Sequence, residues 1–296
     1  MLTKIVLPDE FSLLNSSCFV SKDSIAFVDA TGTLVLGSIE GKSFKLSQRI
    51  RKVGSLNLEQ PVAIDRIGEE LAVSDWLNYR VCFMSLSGEK TSIVGVPALS
   101  KCAIKNAKLG SSPKNIITCH RTGASRRVVM NNSRFKKFIY FLYTAIPRRA
   151  LGFKKINGVC SLKGALFFSD KNAMSILRYH NGLLMTKFLG ERLGNVKMYL
   201  DYIYICLEAQ RKILVLDFDL NIVRTMNTES RPFTLAFHKT AMYYGGLDGL
   251  FRAANYQEAN LTEVIIKSLP DVHGIDILGD KILVTDRSTG LYWDSL

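Results

Sequence analysis

The sequence predicts an all-β fold: a single β-propeller domain over residues 1–296, built of four-stranded antiparallel blades. Three observations carry this expectation. A unit of about 40–45 residues recurs along the whole chain. Each copy reads as short β-runs separated by turn residues, which is the spacing of propeller blades. Apolar stripes of period 3.6, which a helical repeat would need, are missing over most of the chain.

The clearest unit is 61–90, PVAIDRIGEELAVSDWLNYRVCFMSLSGEK. It divides into an apolar strand, a turn at Ile67-Gly68-Glu69, a strand LAVSD, a turn WLN and a strand closed by Ser-Gly-Glu. Residues 157–182 and 273–293 repeat the pattern, and in all three a strand ends on a hydroxyl residue and an acid: Ser74-Asp75, Ser169-Asp170, Thr285-Asp286. Weaker copies are SIAFVDATGTLVLG, IYICLEAQRKILVLDF, AMYYGGLDGLFRA and NIITCHRTGASRRVVM. The matching turn position falls at Asp29, Asp75, His120, Asp170, Glu208, Gly246 and Asp286. The expected count is therefore seven blades, at about 11–55, 56–97, 98–150, 151–193, 194–229, 230–269 and 270–296. Six is the alternative, should the weak third copy not form a full blade. The last copy stops at its third strand, and the free run LTKIVL at residues 2–7 is expected to supply the fourth, closing the ring and leaving no open edge.

The copy at 61–90 resembles NHL repeats, through Pro61, Ser74-Asp75, Asn78-Tyr79-Arg80-Val81 and the closing Gly88. The resemblance is partial at 157–182 and 273–293 and faint elsewhere, so it implies an NHL-like propeller superfamily. It further implies a platform for RNA or protein; related propellers include calcium-dependent lactonases and an amidating lyase. The usual NHL propeller has six blades, and no Glu here matches the first-blade calcium ligand of the lactonases.

The formal charge of +13 is unevenly placed. The 80 residues between Glu89 and Asp170 hold 16 Lys or Arg and no acid, while the remainder carries 23 bases against 26 acids. A solvated face normally mixes signs, so this segment points to an anionic partner. Loops of a blade alternate between the two ends of the ring. That parity places Arg121, Arg126 and Arg127, in the turn HRTGASRR, on the same face as Arg148, Arg149, Lys154 and Lys155. These seven are the expected binding residues. A secondary basic cluster, Arg134, Lys136 and Lys137, falls toward the opposite face or the rim. Between the clusters FIYFLY is expected to be a buried outer strand of the third blade, with a helix as the alternative. The acids Asp29, Asp75, Asp170, Glu208, Asp248 and Asp286 share the face of the seven cations, and turn chemistry is their expected role.

Signatures of known chemistry are sparse. The six cysteines are at least 17 residues apart and read as small buried thiols, not metal ligands. No phosphate-binding loop, GxSxG, HExxH or EF-hand loop is present. His273 is the one histidine expected near the channel mouth, where Asn157, Asn195 and Asp276 could add polar groups. The sequence lacks a run of about 18 apolar residues and an apolar leader, so a cytoplasmic or intracellular location is expected, with a virion as an alternative setting. The expectation is a non-enzymatic platform, without cofactor or metal, whose basic third blade docks RNA, DNA or an acidic protein surface. The alternatives are a structural subunit of a large assembly, such as a viral particle, and a calcium-dependent hydrolase.

Overall fold

The computed structural model describes residues 2–11, 13–53, 56–77, 80–86, 90–95, 108–109, 116–121, 124–129, 155–181, 183–254, 256–257 and 263–296. Every regular element among them is a β-strand. Strand β1 (Thr3–Lys4) precedes blade 1, which is β2 (Leu14–Phe19), β3 (Ser24–Asp29), β4 (Leu34–Glu40) and β5 (Ser43–Ile50). A ribbon of β6 (Lys52–Val53) and β7 (Leu56–Asn57) leads to blade 2: β8 (Pro61–Ile67), β9 (Glu70–Asp75), β10 (Arg80–Ser85) and β11 (Lys90–Gly95). Next come β12 (Lys108–Leu109), β13 (Ile116–Arg121) and β14 (Ala124–Val129). Blade 3 is β15 (Ile156–Leu162), β16 (Ala165–Asp170), β17 (Ser175–His180) and β18 (Leu183–Phe188). Blade 4 is β19 (Leu193–Tyr199), β20 (Tyr202–Leu207), β21 (Lys212–Leu216) and β22 (Ile222–Asn227). Blade 5 is β23 (Pro232–His238), β24 (Ala241–Gly246), β25 (Leu250–Ala253) and β26 (Glu263–Lys267). Blade 6 is β27 (Val272–Leu278), β28 (Lys281–Asp286) and β29 (Gly290–Ser295), with β1 as its outermost strand.

The propeller and its closure are as the sequence predicts. β1 pairs antiparallel with β29, Thr3 opposite Trp293 and Lys4 opposite Tyr292, so the two ends of the chain lock one blade. The favoured count of seven is corrected to six. The innermost strands β2, β8, β15, β19, β23 and β27 contact one another in a closed circle, with β8 directly against β15. The third repeat does not enter that circle. Its hairpin β13–β14 extends the outer edge of blade 2, through a parallel bridge between Val94 and Ser125. FIYFLY lies outside the described residues.

Packing explains why the strands read as nearly continuous apolar runs. Among the described residues, six hydrophobic clusters fill the six interfaces between neighbouring blades. Side chains alternate across a strand, so the two faces of one blade feed two different clusters. In β9, Leu71 and Val73 pack toward blade 1 while Ala72 packs toward blade 3. In β10, Cys82 and Met84 go one way, and Val81 and Phe83 the other. A strand covered on both faces has no polar face to show. Cys18, Cys82, Cys160 and Cys206 are buried thiols; burial pushes Cys18, Cys160 and Cys206 up, away from the reactive thiolate.

The repeated acids close the blades from within. Asp29 Oδ1 accepts the backbone N–H groups of Thr31 and Thr33, both at 3.0 Å. Asp170 Oδ1 accepts Ala173 N at 2.9 Å and also Lys155 N, which leads into β15, at 3.0 Å. Asp286 takes Thr289 N at 2.7 Å and Asp271 N, ahead of β27, at 2.8 Å. Asp75 takes Glu59 N at 2.6 Å and is paired with buried Arg80, whose guanidinium also reaches Asn57 O. One buried carboxylate thus fixes a turn and the approach to the innermost strand. Asp170→Ala would leave two backbone N–H groups without their acceptor, and is expected to cost about 2–5 kcal/mol in urea unfolding without altering the β-sheet far-ultraviolet signal.

Candidate functional site

Each innermost strand begins with a β-bulge. The register slips between Leu14 and Ser16, Pro61 and Ala63, Ile156 and Gly158, Leu193 and Val196, Pro232 and Thr234, and Val272 and Gly274. A bulge re-aims the extra residue. Here those residues include Asn15, Val62, Asn157, Phe233 and His273, and all five line a cleft of about 190 Å³ at one mouth of the channel. The inner strands converge closely there: a Cβ on Gly158 would sit 2.1 Å from Asn195 Oδ1.

A second ring of side chains comes from the residue that follows the second strand of a blade. Ala30, Trp76, Lys171, Glu208 and Arg287 all line the cleft. Their backbone N–H groups bond the segment ahead of the innermost strand: Ala30 to Leu13 O, Trp76 to Gln60 O, Lys171 to Lys155 O, Glu208 to Arg192 O and Arg287 to Asp271 O. Glu208 therefore does not hold the turn position of Asp170. Leu207 stands opposite Leu193 as Asp170 stands opposite Ile156, which moves Glu208 one residue on and into the cleft.

Three cations and one acid line the cleft among the described residues. Lys171 Nζ lies 2.6 Å from Glu208 Oε2 and 2.7 Å from Oε1, and Asn157 Nδ2 donates to Oε1 at 3.4 Å, so Glu208 is already satisfied. Lys155 Nζ lies 4.3 Å from the centre of the Trp76 ring. Burial first, then the charges of Lys171, Arg287 and Arg192, push the Lys155 ammonium below the usual lysine range; Glu208 opposes this and is outweighed. Neither Lys155 nor Arg287 has an acidic partner within 4 Å among the described residues. His273 Nε2 lies 2.9 Å from Asp271 Oδ1 and its ring 5.0 Å from Phe233. Burial raises the Asp271 carboxyl, but the hydrogen bond and charge of His273, joined by the charges of Arg287 and Lys171, win and hold it below its ordinary value.

Deeper in the channel three innermost strands meet through charge. Lys197 of β19 bonds Asp65 of β8, and Asp65 Oδ2 accepts Val159 N at 3.2 Å. Asp276 of β27 accepts Phe19 N at 2.7 Å. Burial raises both carboxyls against the pull of Lys197. Lys197 itself is held above the usual lysine range, because Asp65 and Asp276 outweigh its own burial. Among the described residues no three His, Cys, Asp or Glu side chains come together as a metal would require.

Of the seven expected binding cations, Lys155 alone has its side chain described, and it lies in the cleft. Arg121 ends β13, while Arg126 and Arg127 lie within β14 opposite Cys119 and Thr118, so the last two belong to a strand instead of the turn. Arg148, Arg149, Lys154, Arg134, Lys136 and Lys137 lie outside the described residues. Asn157 and His273 reach the mouth as expected, and Asn15 and Asn157 also donate to Pro61 O and Leu193 O of the next blade. Sequence reasoning missed Trp76, Lys171, Phe233 and Arg287. Their signal was present, since three of the four directly follow a repeated Asp.

The chain is a β-propeller, and solved structures share that fold. Virginiamycin B lyase from Staphylococcus aureus, in a catalytically inactive His-to-Ala variant with quinupristin, superposes with a TM-score of 0.65 at 11% identity, over 100% of this chain and 99% of that one. The WD40 β-propeller domain of Doa1 gives 0.56 at 11% identity, over 95% and 92%. A chain of the Mitotic Checkpoint Complex gives 0.58 at 11% identity, over 99% and 91%. No family model matches the sequence, and no curated protein resembles it significantly.

Two outcomes test this description. Lys197→Met leaves Asp65 buried without its cation and is expected to cost about 3–5 kcal/mol; adding Asp65→Asn should recover part of that in a double-mutant unfolding cycle. Lys155 titrates below its unfolded value, so its charge costs stability at neutral pH, and that cost fades as pH rises toward about 10.5. Lys155→Met should therefore raise the Tm by about 1–3 °C at neutral pH, with the gain shrinking toward pH 10.5 and gone above it in a calorimetric pH series.

Proposed function

We propose that the protein is a binding platform that docks an anionic macromolecule, an acidic protein surface, on the ring face where the channel mouth opens. The observation that carries this reading is the pair Lys155 and Arg287, held at the mouth without an acidic partner within 4 Å among the described residues. Sequence parity would add Arg121, Arg148, Arg149 and Lys154 to the same face. A compact cleft walled by Trp76 and Phe233 suits a side chain of a protein better than the rod of a duplex. The fold is one that also occurs in a chain of a protein complex. Within propellers we favour the NHL-like group, on Pro61, Asp75 and the Arg80 that caps it.

A second reading, hydrolase or lyase chemistry in the mouth, draws on the His273–Asp271 pair. His273→Ala would then abolish turnover of a lactone or ester probe while leaving partner binding intact.

Electrostatic docking predicts a salt-dependent complex. Partner recovered by affinity capture and measured by biolayer interferometry should weaken by about tenfold or more between roughly 50 and 500 mM salt. The pair Lys155→Glu and Arg287→Glu should abolish binding without lowering the Tm. A complex indifferent to both would refute the reading, and capture of nucleic acid alone would transfer it to the polynucleotide alternative.

A further inference from the structure

The charges of the cleft are not balanced. Among the described residues its lining supplies three cations, Lys155, Lys171 and Arg287, against one acid, Glu208, with Asp271 acting on Arg287 and Lys171 from just outside the lining. Both oxygens of Glu208 are taken by Lys171. That leaves two positive groups, Lys155 and Arg287, lining one space of about 190 Å³ without an acid within 4 Å among the described residues. Trp76 orders the Lys155 ammonium from one side at 4.3 Å, and Phe233 forms another wall. A monovalent carboxylate would satisfy one of the two. A phosphate monoester carries about −1.5 to −2 charge at neutral pH and three strong acceptor oxygens. It can take a forked pair of bonds from Arg287 and a point charge from Lys155.

We propose that the channel-mouth cleft is a receptor for a phosphorylated side chain of the partner protein, with Lys155 and Arg287 holding the dianionic phosphate between the Trp76 and Phe233 walls. This rests on the platform reading and names what that face recognises. The surroundings favour a phosphate presented on a peptide over a free one. Leu13, Leu77 and Leu247 are 52%, 45% and 43% exposed on turns and connections of this same face. Leu13 lies ahead of bulged Asn15, Leu77 follows Trp76, and Leu247 lies in the turn after β24 of the Phe233 blade. They offer apolar seats to residues flanking the phosphate.

Trp76 makes the test direct, because the chain has only two tryptophans. In a Trp293→Phe background, Trp76 fluorescence reports occupation of the cleft. The probes are a short peptide with a central phosphoserine between leucines, the same peptide with Glu or Ser at that position, and inorganic phosphate. The phosphopeptide should quench Trp76 with a Kd at least about tenfold below that of the Glu peptide, and inorganic phosphate should compete weakly. Lys155→Ala and Arg287→Ala should each weaken it about tenfold or more; Arg287 lies on an exposed turn, so its variant keeps the fold. Equal binding of phosphoserine and Glu peptides would overturn the phosphate inference and leave the platform standing. Binding of inorganic phosphate as tight as the phosphopeptide would overturn a peptide as the source. Failure of every anionic probe, with a salt-indifferent partner complex, would overturn both.

Discussion

One buried carboxylate organises both the blade and the site. In blades 2, 3 and 6 the Asp at the end of the second strand binds the backbone leading into the innermost strand, and in blades 3 and 6 it also binds its own turn. It does so at the point where the innermost strand bulges. Fixing that junction sets which residue is thrown toward the axis and which follows the turn into the cleft. The two rings of lining residues are a consequence of one repeated backbone solution.

The channel is treated differently at its two levels. At the mouth, cations outnumber acids and Lys155 is held in a setting that disfavours its own charge. Deeper, Lys197 faces two carboxylates and is held as an ammonium. The deeper trio draws together strands of blades 2, 4 and 6, and through backbone bonds to Val159 and Phe19 it also reaches blades 3 and 1. Such a network orders the ring. The mouth, where Lys155 and Arg287 have no acid within 4 Å among the described residues, is where the proposed partner would dock.

Much of the fold was legible because propeller blades repeat. The hydroxyl-acid strand ends at Ser74-Asp75, Ser169-Asp170 and Thr285-Asp286 marked second strands, and LTKIVL announced its own role by lacking neighbours. The third repeat misled the count, because NIITCHRTGASRRVVM has the period-2 pattern of a hairpin whether that hairpin joins the ring or the edge of blade 2. Periodicity reports strands, not the sheet to which they add. Glu208 was misplaced for a related reason: in blade 4 Leu207 holds the register position that Asp170 holds in blade 3, and the acid follows one residue later, a shift that composition does not reveal. The bulges themselves left little trace, since Asn15, Val62, Asn157, Phe233 and His273 share no chemistry, only a position.

The central claim is that partners dock on the face of the channel mouth. Zero-length carboxylate-to-lysine cross-linking of the native complex, read by mass spectrometry, addresses it most directly. The account predicts cross-links from Lys155 to acidic residues of the partner. Cross-links confined to Lys22, Lys163, Lys239 and Lys281, which lie at the opposite ends of the blades, would contradict it.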